Sequence, residues 1–160
     1  MSTGDRSKLR LLGQIFGALG VIASLIFVAW EIRQNTEAIR SETIQAISEQ
    51  SYNIAALIVQ NDDLQEAVYA LREGEKLSSQ QNNKMSAFYA AGLRIHQNRF
   101  LQTELGILDI ETALFLGGSA PMYRRPHFTE WWEEVAKPVQ TKEFAEYFET
   151  HVMQLNSNGE

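Results

Sequence analysis

The chain contains no cysteine among its 160 residues. Disulfide bonds, thiolate nucleophiles and the cysteine ligands of zinc and iron–sulfur sites are therefore excluded. The three histidines, His96, His127 and His151, do not follow the spacing of helical metal sites, such as His-x-x-x-His or Glu-x-x-His. A site assembled from distant residues, with Glu104 or Glu130 as a ligand, is the alternative. The sequence predicts no metal site, no cofactor and no catalytic residue.

Positive charge is also scarce. The 14 Lys and Arg residues stand against 20 Asp and Glu residues, which gives a net charge of −6. Binding to nucleic-acid phosphates needs a basic surface, and the sequence has no basic stripe. The acidic balance also argues against a domain that lies flat on anionic lipid. We therefore expect no nucleic-acid partner.

Charge of either sign is missing from Leu11 to Trp30, a stretch of about 20 residues. An α-helix of this length, at about 1.5 Å per residue, spans the roughly 30 Å hydrocarbon core of a bilayer. A cleaved signal peptide and a buried soluble helix are the alternatives. Signal peptides usually have a shorter apolar region that ends at small residues, whereas this one ends at Trp30, a residue type common at membrane interfaces. We expect a transmembrane helix at residues 11–30, surrounded by membrane lipids.

The flanks of this run carry unequal positive charge. Three basic residues precede it and two follow it: Arg6, Lys8 and Arg10, then Arg33 and Arg40. Lysine and arginine near a span favour the cytoplasmic side. This margin of one charge predicts a cytoplasmic tail at residues 1–10 and a soluble helical domain, residues 31–155, on the far side of the membrane. In a bacterium that side is the periplasm.

Glycine and proline are both absent between Gly20 and Gly74. Helices usually end at these residues, so we expect the membrane helix to continue as one helix to about Asn61. Isoleucine, threonine and serine residues recur along this extension at steps of three and four residues, which places them on one narrow face of the helix. This juxtamembrane seam consists of Ile32, Thr36, Ile39, Thr43, Ile47 and Ile54, with Ser51 and Ile58 on the same spacing. Its partner is either the rest of the same domain or a second copy of the chain.

Capping residues and glycines divide the rest of the chain into further helices. We expect them at about 64–73, 79–105, 109–116, 127–136 and 141–153, with N-caps at Asp62 or Asp63, Ser78 or Ser79, Asp109 and Thr141. No stretch alternates apolar and polar residues over the length of a strand. The prediction is an all-α fold, in which the N-terminal transmembrane helix continues as a long helix into a soluble helical bundle. Residues 156–160 are expected to form a disordered tail.

Small residues recur inside the apolar run at steps of four, three and four, namely Gly13, Gly17, Gly20 and Ser24. Such a face lets membrane helices approach closely, because packing drives their association in lipid. We expect a contact between membrane helices there. The alternative is that these residues only face lipid.

Two positions in the soluble part are candidates for chemistry, His96 and Ser119. His96 lies among apolar positions of the third helix, including Gly92, and we expect a hydrogen-bonded core histidine. Ser119 occupies a glycine-rich turn but lacks the strand–turn–helix context of a nucleophile elbow. Neither position predicts catalysis.

Two adjacent pairs of side chains are also conspicuous. Arg124 and Arg125 lie between two prolines, where a solvated loop or an ion pair with Glu133 or Glu134 is expected, and binding of an anion or a lipid headgroup is the alternative. The tryptophans Trp131 and Trp132 point about 100° apart on a helix. We expect one of them in the core and the other at an edge, a partner subunit or the membrane surface.

The apolar run passes directly into the string Glu31-Ile32-Arg33-Gln34-Asn35-Thr36, and the Trp131-Trp132 pair comes late in the chain. Over nearly its full length the chain resembles a group of bacterial single-pass, membrane-anchored, all-helical proteins with a tryptophan-rich segment near the end. The resemblance implies a protein of the inner membrane of a Gram-negative bacterium. It implies no activity and no functional residues.

The sequence therefore favours a non-enzymatic protein, a membrane-anchored helical chain that self-associates as a homo-oligomer or scaffolds a complex with another membrane protein. One alternative is a pore-forming or transport-accessory oligomer whose lumen is lined by hydroxyl groups, those of Thr36, Thr43 and Ser51. A second alternative is a membrane-tethered sensor domain. It would bind a small apolar ligand between helices, near Phe88, Tyr89 and Trp131.

Overall fold

The computed structural model describes residues 3–116 and 121–154, with side chains from residue 12 onward. Internal contacts divide the chain into two units, residues 1–41 and residues 42–160. Within the described ranges every regular element is helical and no strand occurs, which confirms the predicted all-α fold. The predicted disordered tail at 156–160 and Ser119 lie outside the described residues.

The first helix, α1, runs from Thr3 to Gln60. The predicted continuation beyond the apolar run is therefore confirmed, and the lack of glycine and proline after Gly20 explains it. The most apolar 18-residue window of this helix has no buried residue. A helix that is apolar on all sides and buries none of them matches a membrane span in length and composition.

Three helices follow, α2 (Asp62–Glu73), α3 (Ser79–Glu104) and α4 (Ile110–Phe115). The N-cap of α2 is Asn61, whose side chain accepts from the Leu64 backbone N–H, so the predicted caps Asp62 and Asp63 are wrong and lie in the first turn instead. Gly74 ends this helix with a φ of 76°, a conformation that glycine adopts without steric cost. The predicted caps of α3 and α4 are confirmed, since Ser78 forms a reciprocal capping box and Asp109 accepts from a backbone N–H.

The C-terminal part consists of short helices of mixed type. A 3₁₀ turn at Pro121–Arg124 leads into α5 (Pro126–Trp131), which widens into a π-helix at Trp132–Ala136. The α- and π-helical path ends at Ala136, as the predicted range 127–136 has it, and a second 3₁₀ turn at Lys137–Val139 includes Pro138. Thr141 caps α6 (Lys142–Tyr147), which widens into a second π-helix at Phe148–Met153.

An aromatic core fills the unit of residues 42–160. Both tryptophans are buried in it, so the expectation that one of them lies at an edge is wrong. The reason is that elements pack on two sides of α5 and its π-helical extension. The Trp131 ring lies 5.4 Å from the Tyr89 ring of α3, and the Trp132 ring lies 4.7 Å from the Phe148 ring of the last helix.

A second, smaller core lies beside the aromatic one in the same unit. It joins the C-terminal part of α1 to α3 and α4 through four buried residues, Ile47, Ile95, Leu108 and Ala113. Ile44 and Ile54 of α1 pack against it. This part of α1 is therefore a structural element of the helical domain.

Candidate functional site

The small-residue face of α1 is open in the single chain. A Cβ atom added at Gly13, Gly17 or Gly20 would meet no heavy atom within 4 Å. The Ser24 hydroxyl donates to the Gly20 carbonyl oxygen at 2.8 Å, so its hydrogen bond is made within the helix. None of these residues has a packing role inside the chain, and the predicted contact with another helix stays a prediction.

The juxtamembrane seam is divided between two environments. Ile32 and Thr36 are exposed, and Ile39 retains 43% of its surface. By contrast, Thr43 is half-buried, Ile47 is fully buried at 0% exposure and Ile54 packs against both cores. For its C-terminal half, the partner of the seam is therefore the rest of the same domain.

Two of the three hydroxyl groups assigned to a wet lumen, those of Thr36 and Ser51, form hydrogen bonds within the chain. The Thr36 hydroxyl donates to the Ile32 carbonyl oxygen at 2.9 Å. The Ser51 hydroxyl donates to the Ile47 carbonyl oxygen at 2.8 Å and accepts from an Arg99 nitrogen at 2.8 Å. Because Ser51 faces Arg99 in the interior of its own domain, it does not present its hydroxyl to a lumen between chains.

A cleft in the helical domain is the second candidate site, and we call it the α2–α3 cleft. Its smaller half, which we call the enclosed half, has a volume of about 260 Å³, is partly open to solvent and lies between the end of α1, α2, α3 and the first 3₁₀ turn. Eight of its lining residues are apolar or aromatic, namely Ile58, Val68, Leu71, Met85, Phe88, Tyr89, Pro121 and Met122. Phe88 and Tyr89 belong to the predicted ligand-binding region, whereas Trp131 lines the open half described next.

The open half of the cleft is a wider cavity of about 760 Å³. It is lined by groups of both signs, including Glu75, Lys76, Glu130 and Glu134. Leu71, Arg72 and Arg125 line both halves, so they mark the passage between them. The cleft therefore changes from apolar to charged across this passage.

The two arginines of this passage are the charged residues that line the enclosed half. Arg72 lies in the last turn of α2, and Arg125 caps α5. Among the described residues neither of them forms an ion pair, and Glu133, one of the two acidic partners expected for the Arg124–Arg125 pair, binds Lys137 at 3.1 Å. Two arginines that have no ion-pair partner among these residues therefore lie at the passage, and Glu75, Glu130 and Glu134 line the open half beyond it.

Tyr89 is held in the cleft wall by a hydrogen-bonded chain. Its hydroxyl lies 3.2 Å from Nδ1 of His127, and Nε2 of His127 lies 2.8 Å from Oδ1 of Asn82. With Nε2 donating to the amide oxygen, Nδ1 accepts and the Tyr89 hydroxyl donates. Burial raises the pKa of Tyr89 to about 12, against an opposing effect of Arg125, so this tyrosine stays neutral.

A buried polar cluster supports the 3₁₀ turn behind the cleft. Nε2 of His96 lies 3.1 Å from the Tyr123 hydroxyl, which confirms the predicted core histidine. The absence of a side chain at Gly92 permits this, since a Cβ there would lie 3.2 Å from the same hydroxyl. Burial, assisted by the charge of Arg99, lowers the pKa of His96 to about 3, so the ring is neutral at physiological pH.

Arg99 is the residue of this cluster that the sequence analysis missed. It is 3% exposed and donates to Ser51 at 2.8 Å and to the Leu116 carbonyl oxygen at 2.9 Å, which joins α3 to α1 and α4. Burial lowers its pKa. Its Nε and the hydroxyl of Tyr147 are buried without a partner among the described residues. The sequence feature that could have identified Arg99 is its position three residues after His96, which places the two side chains on the same face of α3.

Within residues 3–116 and 121–154 no group of three His, Asp or Glu side chains is placed to hold a metal ion. Comparison with protein-family models, with curated proteins and with solved structures gives no match for this chain. Arguments about function therefore rest on the geometry of α1 and of the α2–α3 cleft.

Proposed function

We propose that the chain is a membrane-anchored helical protein that self-associates through α1, as a homo-oligomer or as the scaffold of a membrane complex, and that it has no catalytic role. The single observation that supports this is the unburied apolar window of α1. Phe16, for example, is 70% exposed. Burying such a side chain is worth about 1.5–3 kcal/mol, so a helix lined with them needs lipid or a protein partner.

The test of anchoring is extraction. After an alkaline carbonate wash, the full-length chain is expected to stay in the membrane pellet, because carbonate removes peripheral proteins and leaves membrane spans in place. Recovery in the supernatant, or a mature protein that begins after Trp30, would contradict the proposed anchor.

The test of self-association uses the mass of the protein in detergent. Because a side chain at Gly17 meets nothing within the single chain, any effect of Gly17→Leu on the oligomer must come from another chain. We expect this variant to shift the mass towards the monomer. Ala23→Leu is the matched control, since it adds a leucine about 100° away from the glycine face. A wild-type monomer, or equal behaviour of the two variants, would exclude association through this face.

The proposed location is the bacterial inner membrane, with the N-terminus cytoplasmic and the helical domain periplasmic. The basic residues before the apolar run support this orientation. Because the chain has no cysteine, single cysteines introduced at Ser2 or Glu160 report orientation directly. A membrane-impermeant thiol reagent added outside spheroplasts is expected to label the second variant and not the first. The reverse pattern would invert the topology.

The α2–α3 cleft favours a second candidate function, a membrane-tethered domain that binds a small apolar ligand. A ligand that binds the native state and not the unfolded one stabilises the protein by RT ln(1 + L/Kd), where L is the free ligand concentration, so the melting temperature rises with ligand concentration. Octanol is therefore expected to raise the melting temperature of the full-length chain. Filling the enclosed half with Val68→Phe is expected to abolish this shift.

A further inference from the structure

We propose that the α2–α3 cleft binds a medium-chain alkyl monocarboxylate, with its chain in the enclosed half and its carboxylate between Arg72 and Arg125. This inference rests on the second candidate function and adds the chemical class of the ligand. It is independent of whether α1 self-associates.

The size of the enclosed half sets the chain length. A water-sized group occupies about 30 Å³, so 260 Å³ holds on the order of nine non-hydrogen atoms. Drug-sized ligands occupy pockets of about 300–1,000 Å³. A two-chain phospholipid is too large for this cavity, whereas a single chain of about eight carbons fits it.

The lining of the enclosed half suits an alkyl chain. The Tyr89 hydroxyl is engaged by His127, so its ring is the part available to a ligand. Met85 of α3 and Met122 of the 3₁₀ turn both line the cavity and contribute flexible thioether side chains. Methionine adapts its shape to irregular apolar partners, which lets the cavity follow a flexible chain.

The charge of the passage selects the head group. The enclosed half has two arginines and no acidic residue in its lining, on a chain whose net charge is −6. Neither arginine forms an ion pair among the described residues. The planar guanidinium group matches a carboxylate with two parallel hydrogen bonds. A carboxylate at the passage would therefore neutralise charges that the protein leaves unpaired there.

The test is photo-crosslinking of the full-length chain in lipid nanodiscs. The probe is octanoate with a diazirine near the end of its chain, and mass spectrometry locates the adduct. We expect adducts on α3 near Met85 and Phe88. Unlabelled octanoate is expected to compete, whereas octylamine, which has the same chain and the opposite charge, competes at least about tenfold more weakly.

Single substitutions test the two arginines. Arg125→Gln is expected to weaken competition by octanoate about tenfold, and Arg72→Gln several-fold, because Arg72 is more exposed. Arg94→Gln is the matched control, since Arg94 lies on the surface of α3 outside the cleft and is expected to change nothing. Because Arg72 is exposed, the Arg72→Gln variant is expected to fold, and it therefore tests the carboxylate site even if Arg125→Gln does not fold.

The outcomes separate this inference from the function on which it rests. If octanol and octylamine compete as well as octanoate, the cleft binds apolar chains and the carboxylate site is wrong. If no compound competes, or if adducts occur only on residues 12–30, the ligand-binding function itself is wrong and the probe has partitioned into lipid. Competition by octanoate that both arginine variants retain would also overturn the carboxylate site.

Discussion

The two units of this chain treat apolar side chains in opposite ways. Residues 12–30 contain the most apolar window of the chain and bury none of it. Residues 42–160 have a more polar sequence and yet bury an aromatic core and a second aliphatic core. Burial here follows the pattern of apolar residues and not their density. A narrow apolar stripe packs against the rest of its own domain, whereas a helix that is apolar on all sides has no polar face to turn towards water.

The largest expected effect comes from removing one phenylalanine from each unit. Phe148 is 0% exposed and its ring contacts those of Trp132 and His96, so Phe148→Ala is expected to lower the free energy of unfolding by about 3–5 kcal/mol. Phe16→Ala is expected to change it by less than about 0.5 kcal/mol. Denaturant unfolding of the full-length chain in detergent measures both. Equal decreases in the free energy of unfolding for the two variants would show that the two units do not differ in how they bury phenylalanine.

The next comparison stays within one stripe of α1. Ile47 and Ile39 belong to the same seam, but the first is fully buried and the second is 43% exposed. Ile47→Ala is expected to cost about 2–5 kcal/mol in the same unfolding measurement, because it leaves a cavity in the aliphatic core. Ile39→Ala is expected to cost less than about 1 kcal/mol. A large loss for Ile39→Ala would reveal a partner that the single chain does not contain.

A charged residue introduced into the proposed membrane span tests whether the unburied apolar window of α1 lies in lipid. Val21 lies in the middle of the apolar window and is exposed. Val21→Arg is expected to raise the apparent free energy of membrane insertion by roughly 2.5–3.5 kcal/mol, measured with glycosylation sites on both sides of the span. Tyr52→Arg changes an exposed residue of the same helix and is expected to leave insertion unaltered. An unaffected Val21→Arg variant would argue against a lipid environment.

The smallest effect is a pH dependence that the helical domain alone should show. The pKa of His96 is about 3 in the folded chain and about 6.5 when unfolded. The unfolded state therefore binds the extra proton, and the stability present above pH 6.5 is lost progressively as the pH falls towards 3. At pH 5 the loss is about 2 kcal/mol relative to pH 8. His96→Gln keeps a polar partner for Tyr123 and is expected to remove this component. If wild type and variant follow the same pH profile, His96 is not the responsible group.

The long helix and its caps could be predicted because their signals are local. Missing helix breakers after Gly20 predicted α1 to its end, Asp109 and Thr141 were each predicted as a single cap, and Ser78 is one of the two serines predicted to cap α3. The cap of α2 was misplaced because Asn61, Asp62 and Asp63 are all good capping residues and stand in one row. Propensity alone does not choose among three neighbours.

The cleft could not be predicted in the same way, because its charged passage joins residues that are far apart in sequence. Arg72 ends α2 and Arg125 precedes α5, and no periodicity relates the two positions. The sequence indicated Arg124 and Arg125 as an alternative anion site, but it gave no indication that Arg72 lies at the same passage as Arg125. Phe88 and Tyr89, two of the three residues named for the predicted apolar-ligand region, do line the enclosed half of this cleft.

The burial of both tryptophans was missed for a related reason. An α-helical wheel assigns one buried face, whereas here α3 covers Trp131 and the last helix covers Trp132. The wheel also assumes a constant pitch, which the π-helix at Trp132–Ala136 does not have. Neither the packing on two sides of α5 nor the π-helix at Trp132–Ala136 could be predicted from the local sequence.

The two π-helical segments each hold one residue more than an α-helical path needs. A π turn accommodates one more residue than an α turn, so deleting exposed Val135 would let Trp132–Ala136 revert to α-helix. The helix faces before and after the deletion would then keep their relative orientation, whereas a deletion inside the regular helix α3 would rotate everything after it by about 100°. This protein should therefore tolerate a single-codon deletion at Val135 better than one in the middle of α3.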